Sequence, residues 1–329
     1  MSRIRKLYYF DKKDIQEMIS FLNNRDTLVN HLVFNPLIPL HYILPLRFKF
    51  LPETYVLKDK KSSKGLITVT PSKSAVKKME ILKLFFEENC YEDAGELVQF
   101  VVSKYKALGA VSFVARIDDY LPELLKLFVT RCGFSQISYE KLWKVKNFSS
   151  KDFNKKDFRK FRNTDASVVS NLYNESLLPH IRPLLSKDTN DFKESLFRGL
   201  EYYDEHKFVI EDRKTKNITG YVSIQSIDNE NFILDVVQSS WVDLDIQSVI
   251  SFAAEQIRKK KKDFSLFIKT KRYTQLGEKQ EELFMQEKFE CVQNQIVLTN
   301  SSAKIIREES ATRKFTVLSP YYGRNLANQ

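Results

Sequence analysis

The feature that most constrains the fold is an internal repeat that joins the two halves of the 329-residue chain. Residues 8–22 read YYFDKKDIQEMISFL: a short apolar-aromatic run, a turn containing aspartate, and a helical period. Residues 159–173, RKFRNTDASVVSNLY, repeat that succession, and the Phe-x-x-x-Asp pattern that begins at Phe10 begins again at Phe161, 151 positions later. Self-similarity at a fixed spacing predicts one structural unit built twice.

The final parts of the two halves also match. Residues 110–143 read AVSFVARIDDYLPELLKLFVTRCGFSQISYEKLW, and residues 264–298 read FSLFIKTKRYTQLGEKQEELFMQEKFECVQNQIVL. Three phenylalanine pairs occur in the same order, at offsets of 154, 156 and 155: Phe113 and Phe267, Phe128 and Phe284, Phe134 and Phe289. Matches at both ends, in order and at similar offsets, predict a duplicated domain.

A polar, charged stretch separates the two copies. Residues 147–157, NFSSKDFNKKD, combine lysine, aspartate and serine, which is typical of a linker. We therefore predict one domain at residues 1–148, a second at 149–300, and a C-terminal tail at 301–329 without a strong period.

Alternation and helical periods give the same element order in both copies. In the second copy, residues 206–212, 218–228 and 231–241 alternate as antiparallel strands. Apolar residues then mark one face of a helix: Ile246, Val249, Ile250, Ala253 and Ile257. Because a helix that joins two strands of one sheet implies parallel pairing, we predict an α/β fold, with each domain a mixed, mostly antiparallel sheet flanked by helices.

Acidic and hydroxyl side chains stand where helix N-caps are expected. Asp11 and Thr164, or Asp14 and Asp165, would begin the first helix of each copy. Asp243 or Asp245 would cap the helix that follows the third antiparallel strand of the second copy.

Composition limits the classes of function. The net charge of +11 is compatible with an anionic partner or with a lysine-rich solvated surface. The three cysteines and four histidines have neither Cys-x-x-Cys nor metal-ligand spacing, so we expect no metal and a reducing compartment. The most apolar segment, residues 35–57, contains four prolines, Arg47 and Lys49, so we predict no membrane span and a cytoplasmic protein.

The element order, seen twice, resembles the GNAT (N-acetyltransferase) superfamily, in tandem. The best local marker is a Gly-Phe step between the last helix and the final strand, here Gly133-Phe134. Glycine takes the left-handed position after the helix, and phenylalanine folds back onto the core. The second copy keeps the aromatic residue but not the glycine, in Lys288-Phe289.

The resemblance implies binding of acetyl-CoA or another acyl-CoA, and transfer of its acyl group to an amine. In that family a glycine-containing loop presents backbone N–H groups to the pyrophosphate at a helix N-terminus. The matching stretch of the first copy is Tyr91, Glu92, Asp93, Ala94, Gly95 and Glu96. Glu92 stands where the family has a basic or amide residue, and Leu97 stands where it has a small residue. Acidic residues in the first turn of a helix have an alternative role, because their negative charge stabilises the positive end of the helix dipole.

The family's catalytic residues are not identified in this sequence. The family's tyrosine, four residues before the Gly-Phe step, is replaced by Val129 in the first copy and Phe284 in the second. Asp235, Glu80 and Glu87 are carboxylates on or near the central strands, where a solvated strand residue is the alternative interpretation. The matching loop of the second copy, residues 239–250, has no glycine.

Two functions therefore stay open from sequence. The first is a GNAT-like N-acyltransferase with an unknown amine acceptor. The second is a catalytically degenerate GNAT-fold pair that binds a protein, RNA or ribosome. The basic run QIRKKKKD, residues 256–263, suits an anionic partner, or simply the C-terminal end of a helix.

Overall fold

The fold is a single twelve-stranded mixed sheet with helices on both faces, given by a computed structural model. The structure describes residues 3–8, 11, 52–59, 63–72, 75–87, 90–146, 157–194, 204–212, 214–226, 228–242 and 244–301. Residues 147–156 of the predicted linker 147–157, the tail after 301, Phe10, Asp14 and Asp243 lie outside these residues.

Within the described residues, the first half supplies six strands and two helices. The strands are β1 Arg3–Lys6, β2 Glu53–Lys58, β3 Ser63–Ser72, β4 Ala75–Phe86, β5 Ser112–Asp118 and β6 Ser135–Lys144. Helix α1 spans Tyr91–Ala107, and α2 spans Pro122–Lys126 and continues as a π-helical turn, Leu127–Arg131. The buried face of α1 packs on β2–β5 in an aromatic and aliphatic core.

The second half repeats the order of strands and helices seen in the first half. Its strands are β7 Phe158–Lys160, β8 Asp204–Glu211, β9 Ile218–Ser226, β10 Asn231–Gln238, β11 Ser265–Lys271 and β12 Glu290–Ser301. Its helices are α3 Ala166–Ser176, α4 Arg182–Leu185, α5 Thr189–Phe192, α6 Ile246–Arg258 and α7 Gly277–Gln286. Helices α6 and α7 cover one face of the sheet, and α3–α5 cover the other.

The two halves exchange their final strands. The strand order is β1-β2-β3-β4-β5-β12-β6-β11-β10-β9-β8-β7. Strand β12 of the second half therefore pairs antiparallel with β5 of the first, while β6 of the first half pairs antiparallel with β11 of the second. Each half thus completes the sheet of the other, and the sheet has no break between them.

The repeat at the start of each half is confirmed, but its predicted alignment is wrong by three residues. Arg5 donates two hydrogen bonds to Asp11, at 2.8 and 2.6 Å, and Arg159 donates two to Asp165, at 2.7 and 3.0 Å. Each aspartate also accepts a backbone N–H three residues upstream. These equivalent pairs lie 154 positions apart, so Leu7, not Phe10, is the counterpart of Phe161.

The predicted caps are corrected by the same contacts. Asp165 directly precedes α3, yet its carboxylate bonds backward to Arg159 and Arg162 and makes no side-chain bond to the helix. Asp245 does cap α6, where it accepts the Gln247 N–H at 3.1 Å.

The left-handed turn predicted at Gly133 is confirmed, and Lys288 of the second half adopts the same turn without a glycine. Gly133 has φ 67° and Lys288 has φ 57°, a conformation that costs a residue with a Cβ about 1–2 kcal/mol. The N–H of Phe134 bonds to the carbonyl of Phe128 at 3.0 Å, and that of Phe289 to Phe284 at 2.9 Å. All four rings are buried, so the turn folds each phenylalanine back onto its helix.

The Phe113–Phe267 match is off by one residue. Phe113 lies in the core under α1, whereas Phe267 is only half-buried and its neighbour Leu266 lies in the core under α6. Because side chains alternate between the faces of a strand, a one-residue shift moves the match to the opposite face.

Among the described residues, no helix is both long enough and apolar enough to cross a membrane.

Candidate functional site

Each half contains a place where two parallel strands separate. Strands β4 and β5 pair only from Lys78 with Ser112 to Ile81 with Ala115. Strands β10 and β11 pair only from Asn231 with Ser265 to Leu234 with Ile268. Both members of each pair continue beyond the last paired residue, so a cleft opens in the sheet at the same point of each half.

In the first half, an arginine ties the edges of the cleft together. Arg116 is the first residue of β5 beyond the paired segment, and it forms ion pairs with Glu80 on β4 and with Glu140 on β6, the latter at 2.8 Å. Burial would raise the pKa of Glu140, but the positive charges of Arg116 and Lys269 hold it well below its usual range. Charged side chains therefore cross-link this cleft.

The predicted cofactor residues of the first half form the first turns of α1. Tyr91, Glu92, Asp93, Ala94, Gly95 and Glu96 are consecutive residues of that helix. Glu92 and Glu96 are exposed, and Glu92 reaches Arg131 at 3.4 Å. A Cβ on Gly95 would lie 3.2 Å from Leu127, so this glycine permits close packing of α1 on the π-helical turn.

In the second half, two cavities lie at the point where β10 and β11 separate. The first is a narrow slot of about 20 Å³ whose walls include Val236, Gln238, Ser240 and Gln280. The second is a polar cavity of about 120 Å³ between the sheet and α3–α5. Three residues line both cavities: Tyr173, Val237 and Lys271. The slot and the polar cavity therefore meet at a shared wall.

Local sequence explains the slot. Gly277 begins α7, and a Cβ there would overlap the backbone of Lys271 and Arg272, so only glycine lets the helix start so close to the end of β11. Strands β9 and β10 pair without a register shift, and the N–H of Ser239 bonds to β9. By the two-residue period of a strand, Val236 and Gln238 direct their backbone polar groups to the β11 side, into the opening.

The floor of the polar cavity is a charged surface in the sheet. Lys207 on β8 is directly opposite Ser223 on β9, which is opposite Asp235 on β10. Glu205 accepts from Lys207 at 3.0 Å and from Ser223 at 2.7 Å, and both charged residues are almost fully buried. Buried charges cost stability unless they are paired, and they are a common mark of functional sites.

A second ion pair stands at the shared wall. Lys271 donates to both oxygens of Asp235, at 2.6 Å each. Burial would raise the pKa of Asp235, but the charges of Lys271 and Lys269 outweigh it and lower that pKa. Asp235 is therefore ionised at neutral pH, one residue beyond the last pair of β10 and β11.

Tyr173 presents a protonated hydroxyl to both cavities. Burial raises its pKa to about 12. Lys271 lies 5.7 Å and Lys187 5.1 Å from the centre of its ring. Within the described part of the chain, the Tyr173 hydroxyl has no hydrogen-bond partner. This tyrosine comes from α3, whereas the tyrosine that the resemblance implies belongs to the last helix of each half.

The other predicted catalytic positions lie elsewhere. Val129 is exposed and Phe284 is buried in the core. Glu80 is engaged by Arg116, and Glu87 is exposed after β4. Only Asp235 among the proposed carboxylates lines a cavity in the second half.

A carboxylate of the chain itself already caps the N-terminus of α6. Asp245 accepts the Gln247 N–H at 3.1 Å and the Ser248 hydroxyl at 2.7 Å. No glycine lies in this loop, and Trp241 is 91% exposed. The loop therefore does not fit a pyrophosphate in the way that the family's glycine-containing loop does.

Lysines of the basic run are paired with acidic side chains. Lys260 lies 3.1 Å from Asp204, and Lys261 lies 3.5 Å from Glu230. Over the residues with described positions, no group of histidine, cysteine, aspartate and glutamate is arranged to hold a metal ion.

Comparison with known proteins identifies the fold. No protein-family model and no curated protein matches the sequence. A tandem GNAT protein from the clavulanic acid biosynthesis pathway superposes with a TM-score of 0.62, covering 92% of this chain and 99% of that chain at 8% identity. A GCN5-related N-acetyltransferase from Sphaerobacter thermophilus gives 0.58, covering 91% and 95% at 10% identity. A putative acetyltransferase from Pyrococcus horikoshii gives 0.57, covering 92% and 90% at 10% identity.

Proposed function

We propose, from the tandem GNAT fold that this chain shares with those structures, that it is an acyl-CoA-dependent N-acyltransferase whose reaction takes place in the second half. The observation that carries the proposal is the pair of cavities that meet at Tyr173, Val237 and Lys271. Group transfer between two substrates needs a donor site and an acceptor site whose bound ligands are in contact. Holding the two reacting groups in the right orientation supplies much of the rate enhancement. The strand separation of β10 and β11 provides such a junction.

The slot suits the donor. The backbone groups of Val236 and Gln238 that face the opening can pair with the amide groups of an extended chain, as an added strand would. The pantetheine arm of acyl-CoA is such a chain. Its thioester would then lie at the shared wall, next to Tyr173 and Lys271.

The polar cavity suits the acceptor amine. Both oxygens of Asp235 accept from Lys271, but a carboxylate keeps further lone pairs, so Asp235 can also accept from an ammonium group and orient it toward the thioester. After the amine loses a proton to water in the cavity, its nitrogen attacks the thioester carbon and the carbon–sulfur bond breaks. Tyr173 keeps its proton at neutral pH, so its hydroxyl can donate that proton to the leaving thiolate and regain one from solvent.

Calorimetry with acetyl-CoA tests the donor site. Gln280 is half-buried in the wall of the slot, so Gln280→Trp should fill it and abolish the heat of binding. Gln286→Trp, exposed at the end of the same helix, is the matched control and should bind as the unmodified protein does. Absence of heat from the unmodified protein with any acyl-CoA would refute the proposal.

The start of α1, residues 91–96, is the other proposed location for the donor. If the pyrophosphate lies there, replacing the exposed carboxylate of Glu92 with a cation should strengthen acetyl-CoA binding, because the phosphates are negative. If the donor lies in the second half, Glu92→Lys should leave the affinity unchanged. The two sites thus give different outcomes in one titration series.

A binding or scaffold module for a protein, RNA or ribosome is the alternative function. The net charge of +11 favours it, whereas the ion-paired lysines of the basic run do not. Acyl-CoA binding without turnover of any amine, together with salt-dependent RNA retention, would support this alternative.

A further inference from the structure

Two lysines of β11 pair with carboxylates in a crossed arrangement. Glu140 of β6 is the register partner of Lys271, yet its carboxylate lies 3.5 Å from the ammonium group of Lys269. Asp235 follows the last paired residue of β10, which places it beside Lys269 along β11, yet both of its oxygens accept from Lys271 at 2.6 Å. Each lysine therefore pairs with the carboxylate that lies beside the other lysine in the strand register.

The carboxylate of Glu140 is fixed in place from the first half and from the end of β11. Glu140 is 2% exposed, and its Oε1 accepts from the Nε of Arg116 at 2.8 Å and from the Tyr273 hydroxyl at 2.7 Å. Within the described part of the chain, its Oε2 has no hydrogen bond, and the ammonium group of Lys269 faces that oxygen. Glu140 therefore presents a fixed negative charge that draws Lys269 toward β6.

The position of Lys269 decides how much of Asp235 is open to a ligand. Lys269 lines the slot and Asp235 lines the polar cavity, and the charge of Lys269 lowers the pKa of Asp235 after the larger effect of Lys271. Lys271 already takes one lone pair on each oxygen of Asp235, which leaves roughly two for another donor. If the side chain of Lys269 turned from Glu140 to Asp235, it would occupy the lone pairs that an acceptor ammonium group needs.

We propose that Glu140 is a positioning residue, which holds Lys269 toward β6 and thereby keeps Asp235 open to the acceptor amine. The inference rests on the proposed function, because it concerns the acceptor site of that reaction. Glu140 is not among the residues that line the slot or the polar cavity, so it acts through Lys269. It also gives the first half a part in the reaction, because the exchanged strand β6 supplies this carboxylate to the site of the second half.

Crystallography of Glu140→Gln tests the positioning directly. Glutamine keeps the size of the side chain and removes its negative charge. We expect the ammonium group of Lys269 to lie within hydrogen-bonding distance of Asp235 in this variant, and beside Glu140 in crystals of the unmodified protein. A Lys269 side chain that stays in place in the variant would overturn the inference.

A second variant covers the case in which Glu140→Gln does not fold, since it leaves the Arg116 guanidinium without one of its two carboxylates. Glu140→Asp keeps the charge for Arg116, but its carboxylate is one methylene further from Lys269. The Lys269 side chain should then be shared between the two carboxylates, as two conformers in the crystal. A single conformer on the β6 side would contradict the proposal.

Kinetics with an amine give a readout that a merely structural role would not move. With n-butylamine as the probe and acetyl-CoA at saturation, Glu140→Gln should raise the KM for the amine about tenfold and leave the heat of acetyl-CoA binding unchanged. Lys269→Met removes the competing ammonium group, so the double variant should return the KM to that of Lys269→Met alone. Glu123→Gln, at an exposed position of α2, is the matched control and should behave as the unmodified protein does.

The inference fails if the KM of Glu140→Gln does not change, or if it stays high after Lys269→Met is added. Failure of the proposed function looks different, because it appears as an absent heat of acetyl-CoA binding or as absent turnover in the unmodified protein. The crystals still report the position of Lys269 in that case, so movement of Lys269 without turnover would support the positioning and refute only the reaction.

Discussion

Lys288 is a single residue at which the similarity of the two halves can be seen. It occupies the left-handed conformation that Gly133 occupies in the first half, and the phenylalanine after it packs in the same way. A lysine there bears a steric cost that glycine avoids. The sequence showed the repeated pattern through Phe134 and Phe289. It did not show the strain at Lys288, because the residue type does not determine the backbone conformation.

Replacing Lys288 with glycine should stabilise the protein by about 1 kcal/mol, because the left-handed conformation loses its steric cost. Urea unfolding at equilibrium measures the change. Lys279→Gly, at an exposed position inside α7, is the matched control and should destabilise by about 1 kcal/mol. Equal effects of the two substitutions would show that the turn at Lys288 is not strained.

The parts of this fold that could not be predicted from the sequence lie in the strands. Alternation predicted β8, β9 and β10 as strands. Such a pattern could not show that β12 pairs with β5 and β6, because a period of two does not identify the neighbouring strand. The cavity was missed for a related reason. Glu205 and Lys207 belong to a run of four polar residues, Asp204 to Lys207, which from sequence alone looks solvent-facing. The packing of α3–α5 over one face of β8 buries Glu205 and Lys207.

Strand exchange predicts that the first half does not fold alone. A fragment of residues 1–148 lacks β12, so β5 and β6 lose the strand between them and expose unpaired edges. We expect this fragment to aggregate, and to become soluble when refolded with residues 149–329. Size-exclusion chromatography with circular dichroism checks both. A monomeric fragment 1–148 that melts cooperatively would contradict the prediction.

The capped start of α6 predicts an unusual donor preference. Because Asp245 already satisfies this helix N-terminus, the nucleotide part of acetyl-CoA should add little affinity in the second half. We expect acetyl-pantetheine and acetyl-CoA to bind with dissociation constants within about tenfold of each other. A preference of several orders of magnitude for acetyl-CoA would instead place its phosphates on a basic surface.

At the scale of the whole molecule, ionised carboxylates hold distant segments together. Burial would raise the pKa of Asp11, but bonds from Arg5, Lys58 and the Tyr8 N–H lower it to about 2. Bonds from Tyr105 and Tyr55 likewise outweigh the burial of Glu53 and bring its pKa to about 2. Sequence showed these residues only as charges, since their partners lie up to 52 positions away.

These depressed pKa values predict loss of stability in acid. The ordinary values are 3.8 for Asp11 and 4.5 for Glu53, so their contribution is complete above about pH 5 and is lost as pH falls from there toward 2. The unfolding midpoint in urea should fall over that range. Glu53→Gln should flatten the dependence, whereas an unchanged slope would show that this carboxylate does not contribute.

The position of β12 has a consequence for how the protein is made. During synthesis, β5 emerges roughly 180 residues before β12, an interval of about ten to forty seconds at typical rates of translation. Throughout that time the centre of the sheet lacks β12, and the edges of β5 and β6 are open to other chains. We therefore expect the nascent first half to bind chaperones. Where several ribosomes translate one message, the unpaired edges of neighbouring nascent chains could pair with each other in place of β12.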